Sequence, residues 1–171
     1  MKIVCAWCHK VLKEYESTKE MVSHGICPEC LREITEVGTE MNLRDFLDRL
    51  GFPVLVIDGA VAVQRVNRTA EQALGRPAPQ LENIAAGLAI ECQNAHTPEG
   101  CGRAEHCAGC ILRQTIVGTR VDGRPRYGMY SQHQILTPLG AKPIRFRFST
   151  TRMGEAVMLA IDEFEDLQAA S

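Results

Sequence analysis

The chain has 171 residues, 45% of them apolar and 23% charged, and its 19 basic against 21 acidic residues leave a net charge of −2. This composition excludes a disordered chain and gives one domain of ordinary size, or a small module attached to one. The charge balance argues against a strongly basic nucleic-acid binder and against a polybasic membrane-surface protein. No uninterrupted apolar run approaches the roughly 18 residues of a membrane span. The start meets His9 and Lys10 before an apolar signal core can form, so no secretory signal is expected. The expected location is the cytoplasm, where thiols stay reduced.

The eight cysteines fall into two groups of four, which is the number that a tetrahedral metal site consumes. The first group is Cys5-x2-Cys8 and Cys27-Pro28-Glu29-Cys30. Two C-x2-C pairs can turn four sulfurs toward one ion at about 2.3 Å, and a closed shell of that kind is structural. The segment between the pairs is too short to build a core alone, so the metal would supply its folding energy. His24, three residues before Cys27, could stand in for one thiolate. A redox C-x-x-C of the thioredoxin type needs a βαβ context, and none surrounds either pair. Trp7 and Tyr15 read as apolar cover for this site.

Pro28 suits the first position of a helix, and Leu31, Ile34 and Met41 give a partial apolar stripe. Asn42 reads as an N-cap with Asp45 three residues on, and Phe46, Leu47 and Leu50 form the apolar face of a helix ending at Gly51. Residues 31–51 are therefore expected to be a helical connector between a module over 1–41 and a domain over 42–171.

Phe52 to Gly59 is a short β-rich run closed by a turn, with Ala60 to Val66 as its hairpin partner. Asn67 caps a helix from Arg68 to Leu74 that Gly75 terminates. Pro77 and Pro79 read as chain breaks, and Leu81 to Ile90 as another helix. The second group, Cys92, Cys101, Cys107 and Cys110, lies in a loop-rich stretch, and Cys110 opens a helix towards Thr119. Three strands are expected over about 126–136, 143–151 and 155–162, with turns at Pro138-Leu139-Gly140 and Met153-Gly154. Two strands, several short helices and three strands make an α+β plan: a five-stranded antiparallel sheet with helices on one face.

That order, with Val66-Asn67-Arg68-Thr69-Ala70-Glu71-Gln72-Ala73-Leu74-Gly75 after the first hairpin, resembles the PAS sensory domain over about residues 43–165. The resemblance implies a dimer seam in the helix before the first strand, residues 42–50. Ile161-Asp162-Glu163 sits where the family's last strand passes into an output linker, and the tail to Ser171 is too short for a kinase, cyclase or DNA-binding effector. The stretch from Cys5-x2-Cys8-His9-Lys10 to Ser23-His24-Gly25-Ile26-Cys27-Pro28-Glu29-Cys30-Leu31 is similar to a small zinc-ribbon or knuckle-like cysteine-rich module of bacterial two-component sensor proteins. Glu91-Cys92-x8-Cys101-Gly102-x4-Cys107-x2-Cys110 resembles a cysteine-bearing subset of PAS domains. By that analogy the second group lies on the helical side, where many members hold a ligand or cofactor.

Four thiolates at uneven spacing suit zinc, an iron–sulfur cluster, or a reversible disulfide, and a site with no ligand stays open as a reading. Gly100 and Gly102 allow a tight turn with backbone N–H groups approaching sulfur. His96 and His106 are substitutes close by. Asp58-Gly59 reads as a hairpin turn rather than a catalytic acid. Lys142, Arg145 and Arg147 flank an Ile144/Phe146/Phe148 alternation typical of a half-buried strand, and His133, alone in a strand, reads as structural or surface. No phosphate loop, nucleophile elbow or H-E-x-x-H is present.

The function expected is that of a cytosolic, non-enzymatic sensor. It would carry zinc at the first site and zinc or an iron–sulfur cluster at the second. A ligand, metal or redox signal would pass to a separate signalling partner, an effector or kinase, or through a homodimer. The competing readings are an iron–sulfur redox sensor or electron carrier, and a structural zinc adaptor; DNA binding by the zinc module is the weakest.

Overall fold

The computed structural model describes residues 1–16, 20–36 and 43–167. The N-terminal part is a small sheet of β1 (Lys2–Cys5), β2 (Val11–Glu14) and β3 (Val22–Gly25) in the order β2-β1-β3, with β1 antiparallel to β2 and parallel to β3. Helix α1 (Pro28–Glu36) follows, and Pro28 stands where a missing N–H costs nothing. Next comes α2 (Leu43–Asp48), which is shorter than the expected helix to Gly51. The expected cap at Asn42 and the middle of the connector lie outside the described residues. Among the described residues no helix is long and apolar enough to cross a membrane.

The larger sheet contains β4 (Val54–Ile57), β5 (Val63–Val66), β6 (Arg126–Thr137), β7 (Gly140–Met153) and β8 (Ala156–Asp166), in the order β5-β4-β8-β7-β6. Every neighbouring pair is antiparallel. Between β5 and β6 the chain builds α3 (Arg68–Leu74), α4 (Ala78–Leu81), α5 (Ala86–Ala89) and α6 (Ile111–Asp122) on one face of that sheet. This is the α+β plan expected, a PAS-like five-stranded antiparallel sheet with helices on one face.

The single helix expected over 81–90 is instead α4, a turn and α5. Val63 N–H donates to the Ile84 carbonyl at 2.8 Å and Asn83 N–H to the Val63 carbonyl at 2.7 Å, drawing residues 83–84 against β5. Asn83 takes a left-handed conformation (φ 63°) to make that turn. Pro77 and Pro79 start α4 rather than simply interrupting the chain, with Pro77 at its cap and Pro79 in its first turn.

Both faces of the large sheet are buried. Leu55, Ile57, Val157, Leu159, Phe146 and Phe148 meet the helices. Val54, Val56 and Met158 point the other way, into a second core with Cys5, Ile26, Cys27, Cys30, Phe46, Leu47 and Leu50. The unbroken apolar run of β4 follows from this, since alternate residues serve different cores. Each such side chain contributes roughly 1.5–3 kcal/mol when fully buried. Phe46, Leu47 and Leu50 of the expected dimer seam over 42–50 are therefore buried within the chain, while Leu43 of α2 is exposed.

Two polar groups fix these layers. Asn67, fully buried, caps α3 by accepting from Ala70 N–H at 2.9 Å and also accepts from Val54 N–H at 3.0 Å. Its amide donates to the carbonyls of Leu47 (3.0 Å) and Phe52 (2.8 Å), so one side chain ties α2, β4 and α3 together. Arg147, on the outer face of β7, donates to the Val22 carbonyl and to Ser23 Oγ, both at 2.9 Å, and to Glu163 Oε2 at 3.1 Å. Beside it, the wholly buried Asp162 carboxylate accepts from His24 N–H (3.2 Å) and Ser149 Oγ–H (2.9 Å). The small sheet is thus pinned to the large one by a buried charge pair.

Candidate metal centres

The first cysteine group closes into a cluster. Cys5 ends β1, Cys8 lies in the turn towards β2, and Cys27 and Cys30 flank the start of α1. The Cys5, Cys8, Cys27 and Cys30 sulfurs all lie within 4.8 Å of one another, and those of Cys8 and Cys27 are 3.9 Å apart. A tetrahedron with metal–sulfur bonds of 2.3 Å has edges of about 3.8 Å, so this donor set fits a zinc-like ion. Backbone N–H groups also point at the sulfurs: Cys27 N–H reaches Cys5 Sγ at 3.3 Å and Cys30 N–H reaches Cys27 Sγ at 3.5 Å.

Electrostatics set Cys5 apart from Cys27 and Cys30. Burial pushes Cys5 up, but the N–H groups of Cys27, Cys8 and Trp7 outweigh it and bring the thiol down to about 7. Burial dominates at Cys27 and Cys30 and pushes both up, with neighbouring thiols adding to the effect at Cys30. Four adjacent thiolates need a cation, and its arrival must expel the protons that burial favours on Cys27 and Cys30. His24 is not gathered with them. Its Nδ1 sits 3.1 Å from Asp162 Oδ1 and its ring stacks on Phe52 at 4.1 Å, so it links the two sheets. Trp7 covers the site through Phe46, whereas Tyr15 is exposed and lies under Lys13.

Three cysteines of the second group line a cleft beside the large sheet. Cys92 forms an antiparallel bridge with Ile135 of β6, Cys107 ends a single 3-10 turn (Glu105–Cys107), and Cys110 stands at the N-cap of α6. These three cysteines, with His106 and His133, line a cavity of about 850 Å³. Burial raises the Cys92 and Cys110 thiols, and the neighbouring thiols raise them further: Cys110 and Cys101 act on Cys92, Cys107 and Cys101 on Cys110. Cys101 is near but approaches from α5, where a Cβ at Gly87 would stand 2.7 Å from its sulfur. Among the described residues the first group alone has three or more ligand atoms all within 4.8 Å, so the second group is not drawn into a closed shell. All eight cysteines are free.

Of the nearby imidazoles, His96 is held by Glu91 Oε2 at 2.9 Å, and Arg76 also pairs with Glu91. His133 is the one that sequence reasoning passed over. Its Nδ1 lies 3.5 Å from Cys92 Sγ and its Nε2 2.8 Å from Ser131 Oγ. Burial holds the imidazole down to about 4, so it is neutral. The alternation along β6 carries the available signal: Ser131 and His133 pair with Phe146 and Ile144, the inward positions of β7. Three basic residues of β7 are engaged with carboxylates or with the small sheet. Lys142 pairs with Asp166 (3.2 Å), Arg145 with Glu165 (2.8 Å), and Arg147 is buried in the contact between the sheets.

No family model matches this sequence, and no curated protein matches it. Solved structures do. The PAS domain of a protein from Desulfitobacterium hafniense is 17% identical, covering 72% of this chain and 100% of its own, with a TM-score of 0.44. The photoactive yellow protein domain from the sensor histidine kinase Ppr of Rhodospirillum centenum is 14% identical over 72% of this chain and 94% of its own, with a TM-score of 0.46. The PAS domain of nitrogen regulation protein NR(II) from Vibrio parahaemolyticus is 13% identical over 71% and 94%, with a TM-score of 0.43. The fold assignment rests on the strand order and helix placement described above.

Proposed function

We propose that this protein is a cytoplasmic, non-enzymatic regulatory metalloprotein. Its N-terminal module, of the type found in two-component sensors, holds zinc at Cys5, Cys8, Cys27 and Cys30. Its PAS-like domain receives a ligand, metal or redox signal at the second cysteine group, which takes zinc or an iron–sulfur cluster. Output passes to a separate signalling protein, an effector or kinase. A homodimer offers a second route for that output.

One observation carries this reading: strands β6 and β7 join the two sites. His133 of β6 faces Cys92 across the inner side, while Arg147 of β7, paired in register with Tyr130 of β6, grips β3 on the outer side. A shift of Cys92 or its loop moves the strand pair on which the module is seated. Packed layers transmit such shifts because they have few voids to absorb them. The test is hydrogen exchange on the full chain against a Cys92→Ser/Cys107→Ser variant, with partner capture measured alongside. Altered protection over Val22–Gly25 and altered capture are expected. Unchanged protection and unchanged capture would overturn the proposal.

A further inference from the structure

We propose that His133 is a ligand of the second metal, completing a Cys92/Cys107/Cys110/His133 set for a zinc-class divalent ion and leaving Cys101 outside it. The inference rests on the reading of the second cysteine group as a metal site and specifies its donors.

The geometry of one pair comes first. For metal–sulfur and metal–nitrogen bonds of about 2.3 and 2.0–2.1 Å, a tetrahedral angle puts sulfur and nitrogen about 3.5–3.6 Å apart. Cys92 Sγ and His133 Nδ1 stand at 3.5 Å, which is one finished edge of that tetrahedron. The backbone holds both ends of the edge: the Cys92–Ile135 bridge and the 2.8 Å bond from Leu136 N–H to the Glu91 carbonyl dock the Cys92 loop on His133's own strand.

The imidazole is oriented as a ligand is. Its far nitrogen, Nε2, is fixed at 2.8 Å by Ser131 Oγ, two residues away on the same face. With Nε2–H donating to that hydroxyl, Nδ1 keeps its lone pair and presents it to the cleft. Phe146 packs against the ring at 5.3 Å and limits its rotation. No protein donor other than the Cys92 thiol reaches the Nδ1 lone pair among the hydrogen bonds of the described residues.

The other two donors line the same cleft. Cys107 and Cys110 form a C-x2-C pair on a short segment beside Gly109, and they face the cavity together with Cys92 and His133. A one-turn 3-10 segment has few hydrogen bonds to break when that pair closes on an ion. Cys101 does not line the cavity, and its sulfur lies against Gly87 of α5. Three thiolates and one imidazole also suit zinc better than an iron–sulfur cluster, which in most proteins takes four thiolates.

The experiment is metal content of the full-length chain purified without oxygen and reconstituted with Zn(II), with Co(II) spectra in parallel. Wild type is expected to bind about two ions, His133→Ala about one, and Cys101→Ser about two. His133→Cys is expected to recover the second ion with stronger thiolate-to-cobalt charge transfer, which separates a lost ligand from a lost fold. A wild-type chain binding one ion would remove the second metal site itself. With two ions in the wild type, loss of one in Cys101→Ser, retention of both in His133→Ala, or no recovery in His133→Cys would overturn the ligand set alone. Iron in place of zinc in the isolated protein would overturn the metal class.

Discussion

The two cysteine groups contain the same number of thiols and put them to opposite structural ends. The first is part of a core: Cys5, Cys27 and Cys30 are buried with Val54, Val56 and Met158 of the large sheet, and their sulfurs already sit at the spacing of a metal shell. The second lies at the edge of a core, with Cys92 docked on β6 and Cys107 and Cys110 on a short loop around an 850 Å³ cleft. A preformed shell with three of its four thiols buried gives up its ion only by coming apart. A half-built shell at a cleft can gain, lose or exchange donors without unfolding the sheet beneath it. The contrast assigns architecture to the first group and responsiveness to the second.

The largest expected effect breaks the first site. Cys27→Ser removes a buried ligand that also accepts the Cys30 N–H bond. Structural zinc sites supply roughly 10–16 kcal/mol of apparent binding free energy, so the module cannot hold its fold without it. The variant should lose one metal, and hydrogen exchange should show β1–β3 and α1 deprotected while β6–β8 stay protected. Loss of the whole domain at the same denaturant concentration would mean that the two cores are one cooperative unit. Survival of β1–β3 without metal would remove the structural assignment.

A smaller effect is expected from the contact between the sheets. Arg147→Met keeps the stem but deletes the donors to Val22, Ser23 and Glu163, leaving the Asp162 carboxylate buried with fewer partners. Breaking one side of a buried pair costs about 3–5 kcal/mol, and the bonds Asp162 keeps from His24 and Ser149 set the expectation at the lower end. Urea melts should show that loss, and adding Asp162→Asn should restore part of it. Metal at the first site should remain, because Arg147 touches no cysteine ligand. If the metal leaves as well, the module owes its closed shell to the docking and the contrast between the sites weakens.

These residues also show what the chain pattern makes readable. The strands, the Asn67 cap and the Cys5–Cys30 group follow from local spacing, because alternation, capping and C-x2-C pairs are local rules. Arg147 reads as an exposed strand residue because the rule for its face presumes solvent, and the covering layer comes from residues 22–24, far away in sequence. His133 fails to read for the same reason, since its partner Cys92 lies 41 positions away. The split of α4 from α5 depends on Val63 pairing with Asn83 and Ile84, which helical periodicity over 81–90 cannot report. Short-range chemistry is legible, and contacts between layers are not.

The smallest expected effect sharpens the contrast at the second site. Helix α6 carries Cys110 at one end and Asp122 at the other, where a carboxylate opposes the helix dipole. Arg126 offsets this with a two-point contact at 2.8 and 3.1 Å, and Arg124 N–H adds a bond at 2.9 Å. The Arg126 guanidinium, followed by that N–H, holds the Asp122 carboxyl below its ordinary value of 3.8. The native state therefore binds the proton less tightly than the unfolded chain. The pair's contribution is full above the ordinary carboxylate range and is lost as pH falls through it. Asp122→Asn should lower Tm slightly at pH 7, less in high salt, and not at all at a pH where the wild-type carboxyl is protonated. Second-site metal content should be unaffected, because fraying at this end stops within a turn while Cys110 sits at the other end of the 12-residue helix. A fall in second-site metal would show instead that the cleft depends on the whole length of α6, and that its openness ends at the loop bearing Cys107 and Cys110.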